Sequence, residues 1–223
     1  MWKKAVVLAM IFCLALIPVA FAAGSETTQS VLTPKDGLQY QVKLLFEKVR
    51  LGFSFGPAAK ARMYTNMADE RLKELEALQA SDPEALKQKL LEQHDKMVAK
   101  AQTIIDTKAN LPQDIINRVV ESQAKAVERA TQEAANAKDP DIAQKRLAYV
   151  KAKQELMLAN VEKNAPQIAE KMIARAQTVL DNTASVRARI ENGEGLQVVK
   201  ERMQQRLEQV KQHRQQWLKN HPK

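Results

Sequence analysis

"SDPEALKQKLLEQHDKMVAKAQTIID", residues 81–106, decides the fold class. Its first four residues stop one segment and start another. Ser81 or Asp82 is a capping type, Pro83 opens a helix where its missing N–H costs nothing, and Glu84 suits a first turn. Behind them Leu86, Leu90, Met97, Ala101 and Ile104 follow the helical period of one buried face. The final part of the stretch recurs. "DKMVAKAQTIID" at 95–106 returns as "EKMIARAQTVLD" at 170–181, identical or conservatively exchanged at all twelve positions. Self-similarity of this kind reads as a degenerate duplication of a helical hairpin.

The same period extends in both directions, and no run of alternating β-branched residues competes with it. A first helix is expected from about Gly37 to Leu51, with Leu38, Val42, Leu45 or Phe46, and Val49 on its buried side. A second starts at Pro57 and carries Tyr64, Ala68, Leu72, Leu75 and Leu78. "NLPQD" precedes a fourth helix, and "KDPD" at 138–141 repeats the cap-then-proline signal before a fifth. Pro166 starts or kinks a sixth, and "NGEG" at 192–195 is a glycine stop before a last helix. There Leu196, Met203, Val210 and Trp217 recur every seven residues, a narrow seam suited to docking on another helix. The expected fold is all-α: an elongated bundle of antiparallel helical hairpins, with about six to seven helices after the leader.

Residues 1–22 read as a signal peptide. "MWKK" is a basic start, an apolar run follows, and Ala20-Phe21-Ala22 is a cleavage pattern. Residues 23–36 read as a flexible lead-in, 37–137 as one helical domain and 138–223 as C-terminal hairpins ending in a basic helix. Cys13, the single cysteine, lies in the leader, so neither a disulfide nor thiol chemistry is expected of the mature chain. No later run is long and apolar enough to cross a membrane, so no span is expected after cleavage. The expected location is therefore the periplasm, the cell envelope or the exterior.

Beyond the leader the formal charge is +7, and +5 of it falls between Leu196 and Lys223. Lys200, Arg202, Arg206, Lys211, Arg214 and Lys219, with Trp217 beside them, are thus candidates for contact with an anionic surface. Nucleic acid is not expected as a partner, because the aromatics do not interleave with cations in the manner of a base-stacking platform.

Catalytic and metal chemistry is poorly supplied. His94 sits in register with a buried stripe, and His213 and His221 have no carboxylate three residues ahead. No zincin motif, phosphate-cradling glycine loop, G-x-S-x-G elbow or Ser/His/Asp set occurs. Glu70 and Glu74 share a helix face with Lys73 nearby, a pattern of charged surface helices. Arg71 lies near the buried stripe, where a partner such as Glu47 would fix helix register. No catalytic residue, cofactor or metal ligand is assigned.

"RLGFSFGPAAK" at 50–60 is the one departure from helical composition. Gly52 and Gly56 permit a reversal, Pro57 opens the next helix, and Phe46, Phe53, Phe55 and Tyr64 surround it. The expected arrangement is a packed corner, with Arg71 close by. As buried plugs, Phe53 and Phe55 would each contribute roughly 3–5 kcal/mol.

Three motifs carry a family resemblance: Phe46-Glu47-Lys48-Val49-Arg50-Leu51, then Phe53 to Pro57, then Ala68-Asp69-Glu70-Arg71-Leu72-Lys73-Glu74. From Leu32 to Gln102 the chain resembles a domain-of-unknown-function family of exported bacterial and archaeal helical proteins. The resemblance implies export and a helical fold, and it brings no activity.

The function expected is non-enzymatic contact with a protein or an anionic envelope component, as a scaffold or binding module. One alternative is a peripheral membrane protein using the C-terminal helix as an interfacial helix. A second is an extracytoplasmic helical chaperone with an apolar concave face. Homo-oligomerisation is left open.

Overall fold

The computed structural model describes residues 31–79, 81–108, 110–190 and 196–220, and the backbone alone at 189, 196–200 and 202. The expected signal peptide, most of the expected lead-in and the "NGEG" stretch lie outside the described residues. Among the described residues seven α-helices follow one another: α1 (Gly37–Gly52), α2 (Pro57–Ala77), α3 (Glu84–Thr107), α4 (Gln113–Asn136), α5 (Pro140–Asn164), α6 (Ala169–Ile190) and α7 (Leu196–Asn220). There is no strand among the described residues. The all-α bundle expected from the periodicity is the fold observed.

The helix starts follow local chemistry, with two corrections. Asp139 caps α5 as "KDPD" suggests, accepting the Asp141 N–H at 2.9 Å with Pro140 at the first helical position. Before α3, neither Ser81 nor Asp82 caps. Pro83 takes the cap position, and the Asp82 carboxylate instead accepts the Gln79 N–H at 2.8 Å, closing the end of α2. The second correction concerns the lead-in, whose last residues are ordered. Thr33 and Asp36 cap each other around a short 3-10 turn, Pro34–Asp36, and Lys35 pairs with Asp82 at 2.8 Å. Pro166 opens a second such turn, Pro166–Ile168, so it separates α5 from α6 rather than kinking one helix.

α4 is the hub of the core. Val119 packs with Ala68, Val98 and Ala101 of α2 and α3. Ala126 joins Leu72, Leu75, Leu90 and Leu91. Val120 and Ala124 join Met157 and Leu158 of α5, Met172 and Ile173 of α6, and Met203, Leu207 and Val210 of α7. Ala124, Ala126, Ala130 and Ala134 let neighbouring helices approach α4 closely, which explains its buried faces on more than one side. Residues 32–223 form one compact unit.

The sequence repeat has a structural counterpart. Val98, Ala101 and Ile105 are buried on α3, and the equivalent Ile173, Ala176 and Leu180 are buried on α6. The same intrahelical bond recurs, Gln102 to Asp106 at 3.3 Å and Gln177 to Asp181 at 3.2 Å.

Candidate functional site

α1 is turned the opposite way from the sequence expectation. Tyr40 is its one buried residue. Leu38 is 79% exposed, Leu45 61% and Val42 44%, with Phe46 and Val49 also exposed. At 100° per residue these five side chains fall on one arc of the helix, and that arc faces water.

A polar clamp on the opposite side explains the orientation. Tyr40 Oη donates to Glu74 Oε2 at 2.8 Å and accepts from Arg71 Nη1 at 2.7 Å. Lys43 Nζ donates to Glu74 Oε1 at 2.7 Å. Arg71 Nη2 pairs with Glu47, the partnership its position suggested. Arg71 and Glu74 are almost wholly enclosed. Buried charges are tolerable only when paired and hydrogen-bonded, so Tyr40, Lys43 and Glu47 must face α2. Their spacing along α1 sends the apolar arc outward. Burial raises the Glu47 carboxyl above the usual range, and the attraction of Arg71 and Lys43 offsets only part of that. Burial, reinforced by the Glu74 carboxylate, pushes the Tyr40 phenol far above its ordinary value.

The aromatic corner follows the arc. Phe53 is 72% exposed and Phe55 82%. The packed corner expected from sequence is thus overturned for these two residues: they plug nothing. The turn holds itself through backbone bonds, Phe53 N–H to Val49 O and Ser54 N–H to Leu51 O, both at 3.1 Å. Gly56 has φ +83°, a conformation that strains any other residue, and Pro57 opens α2 directly behind it. Gly52 sits in open space. Tyr64 is half-buried at the base of α2, under the Lys100 ammonium, 5.2 Å from the ring centre. The tip is a self-supported turn presenting two aromatic rings to solvent.

Along its own sequence this face carries charge mostly of one sign, while α2 sets Asp69, Glu70 and Glu76 along the groove that Phe46 and Arg50 share. Between Gly37 and Tyr64 there are five Lys or Arg and one carboxylate, Glu47. Lys48, Arg50 and Lys60 are exposed and have no ion-pair partner among the described residues. Sequence reading placed the cationic surface in the tail and overlooked this cluster, although the lack of acids across the interval was visible.

Residues 31–140 match the family model of a domain of unknown function, DUF5667. The match takes in the Thr33 turn and all of α1 to α4, and so runs beyond the stretch that carried the resemblance. No curated protein and no solved structure matches the chain.

Beyond the DUF5667 segment, three of the C-terminal cationic candidates, Arg206, Lys211 and Arg214, are engaged in ion pairs. Met203, Leu207 and Val210 are buried against α5 and α6, so the seam of α7 belongs to the core. Those three side chains are therefore turned into the bundle and not toward an outside surface. Arg206 pairs with Glu162 and Arg214 with Glu170, both at 2.7 Å, while Lys211 pairs within its own helix with Glu208. Trp217 is half-buried and Lys219 is exposed. The side chains of Lys200 and Arg202 lie outside the described residues.

Within the DUF5667 segment, α2, α3 and α4 also assemble a serine, a histidine and an aspartate that are distant in sequence. His94 Nε2 lies 3.2 Å from Ser122 Oγ, and Nδ1 lies 3.2 Å from Asp95 Oδ1. This is not the geometry of an activated nucleophile. A carboxylate only accepts, so the Ser122 hydroxyl gives its proton to Asp69, 2.8 Å away, and Ser122 is fully buried. Asp95 also accepts from Tyr149 Oη at 2.9 Å and pairs with Lys153 at 2.8 Å. Burial alone would raise the Asp95 carboxyl, but hydrogen bonds from His94 and Lys153 outweigh it and hold the group below the usual range. An open groove of about 900 Å³ between α1 and α4 is lined largely by charged side chains, among them Glu47, Asp69, Arg118 and Arg129. It is not the apolar cradle that a chaperone of unfolded chains needs. Among the described residues no cluster of His, Cys, Asp and Glu is arranged to hold a metal, and no helix is long and apolar enough to cross a membrane.

Proposed function

We propose that this is an exported, non-enzymatic helical module that works by contact, and that its contact surface is the outward arc of α1 with the Phe53 and Phe55 tip. The supporting observation is the inversion of α1: a helix fixed through its polar side, with its apolar side in water. Burying such side chains would contribute roughly 1.5–3 kcal/mol each, and this bundle leaves that contribution unrealised. Contiguous apolar surface of this kind marks interaction sites.

Leu45→Glu and Phe53→Ser test the reading. Both positions are exposed, so each variant should keep its unfolding free energy within about 0.5 kcal/mol of the parent. Both should release the protein from the envelope fraction of its own cells. A large loss of stability, or undiminished envelope association, would sink the proposal.

A further inference from the structure

The nature of the partner follows from what surrounds the apolar arc. We infer that α1 and the Phe53–Phe55 tip dock on an anionic lipid bilayer surface. This rests on the contact reading above and names its partner.

Three observations carry it. The first is shape. The arc lies along a helix of 16 residues, about 24 Å long. Phe53 and Phe55 extend the same exposure past its end. This is an exposed edge; the groove that meets it at Phe46 and Arg50 is lined mostly by charged side chains and offers the arc no apolar socket. An interfacial helix lies flat with its apolar side among lipid chains and needs no socket.

The second is charge. On the helical wheel Lys48 and Arg50 flank the arc on opposite sides, and Lys60 stands in the first turn of α2 beside the tip. All three are exposed and lack ion-pair partners among the described residues, and Glu47 is engaged by Arg71. Apolar side chains bordered by free cations, with no free anion between Gly37 and Tyr64, fit a surface of anionic headgroups. The same charges disfavour a second copy, since a two-fold α1–α1 contact would bring like-charged borders together.

The third is the helix's attachment. The clamp on α2 consumes Tyr40, Lys43 and Glu47 and leaves the outward half of α1 unused by the bundle. The helix is thus presented pre-formed, so binding does not incur the cost of folding it.

The test is co-sedimentation of residues 23–223, which include the whole compact unit and exclude the apolar leader. The vesicles are phosphatidylcholine with and without phosphatidylglycerol, at low and high salt. The parent should bind the phosphatidylglycerol vesicles, and salt should weaken that binding. Lys48→Glu/Arg50→Glu/Lys60→Glu should bind at least about a hundredfold more weakly, each cation near such a surface contributing roughly a factor of five or more. Leu45→Glu/Phe53→Ser should also lose binding, while Lys211→Glu/Lys219→Glu on α7 should keep it. Circular dichroism confirms that each variant is folded.

The inference falls if the folded parent ignores anionic vesicles, or if the α1 variants bind as well as the parent. It also falls if the α7 variant alone loses binding. A dimer in light scattering that Leu45→Glu converts to a monomer, with no vesicle binding, would make the occupant a second copy. Release of Leu45→Glu from cell envelopes, with no parent binding to vesicles, would leave the contact reading standing and replace lipid with a protein partner.

Discussion

Arg71 is 2% exposed and stands between two carboxylates and a phenol. Its guanidinium reaches Glu47, Tyr40 Oη at 2.7 Å and Glu74 at 3.3 Å. Glu74 is fully enclosed, and its other contacts are Tyr40 and Lys43. Removing the guanidinium would leave Glu74 with one cation and Glu47 with none nearby except Lys43. Breaking a buried pair from one side costs about 3–5 kcal/mol, because the remaining charge is stranded. Arg71→Ala should therefore lower stability by about that amount in urea unfolding. Arg71→Lys should recover only part of it, since an ammonium cannot span the carboxylate and the phenol as the planar fork does. Hydrogen exchange should show the largest loss of protection in α1, which has little else to hold it. Unchanged protection between Tyr40 and Gly52 would mean that the clamp does not set the orientation of α1.

At the level of elements, local periodicity revealed the helices well, because caps, prolines and apolar spacing act within a few residues. It misled on α1. Leu38, Val42, Leu45 and Val49 form an ordinary buried-looking stripe, and nothing within α1 reveals that Arg71 and Glu74, on another helix, claim the opposite side. Tyr40, Lys43 and Glu47 at helical spacing were the available signal, legible only together with the Arg71–Glu74 pair. Phe53 and Phe55 mislead for the same reason: they extend a stripe whose apolar pattern points inward on periodicity alone. The His94 network was invisible for another reason, since it draws on four helices. Asp69 comes from α2, His94 and Asp95 from α3, Ser122 from α4, and Tyr149 and Lys153 from α5. Asp95 is its main acceptor, and its carboxyl is held below the usual range. A depressed acid adds stability above its unfolded value and loses it as pH falls through the folded one. Asp95→Asn should therefore be less stable than the parent at neutral pH by about 1–3 kcal/mol. The gap should begin to close below about pH 4 and continue closing at lower pH, as the parent loses its own contribution. Urea unfolding across that range checks it, and a gap independent of pH would contradict the account.

For the molecule as a whole, the division of labour between its two basic regions is the informative feature. Both α1 and α7 are amphipathic and cationic, and composition alone favoured α7 as the surface-binding element. The fold places them differently: α7 packs into the core, and the apolar arc of α1 faces water. α7 contributes Met203, Leu207 and Val210 to the cluster that also holds Met172, Ile173 and Val161. Its Arg206 and Arg214 reach across to Glu162 and Glu170 on neighbouring helices. Partly exposed ion pairs of this sort contribute little each, so the apolar seam must dominate the docking of α7. Met203→Ala deletes a side chain that is 3% exposed, and losses of this type cost about 2–5 kcal/mol. The variant should melt well below the parent in calorimetry, yet below its melting point it should bind whatever the parent binds through α1. Leu45→Glu should give the mirror image, with melting preserved and binding lost. Finding both losses in one variant would show that α1 and α7 do not act independently, and that the surface helix depends on the core in a way this arrangement of contacts does not provide.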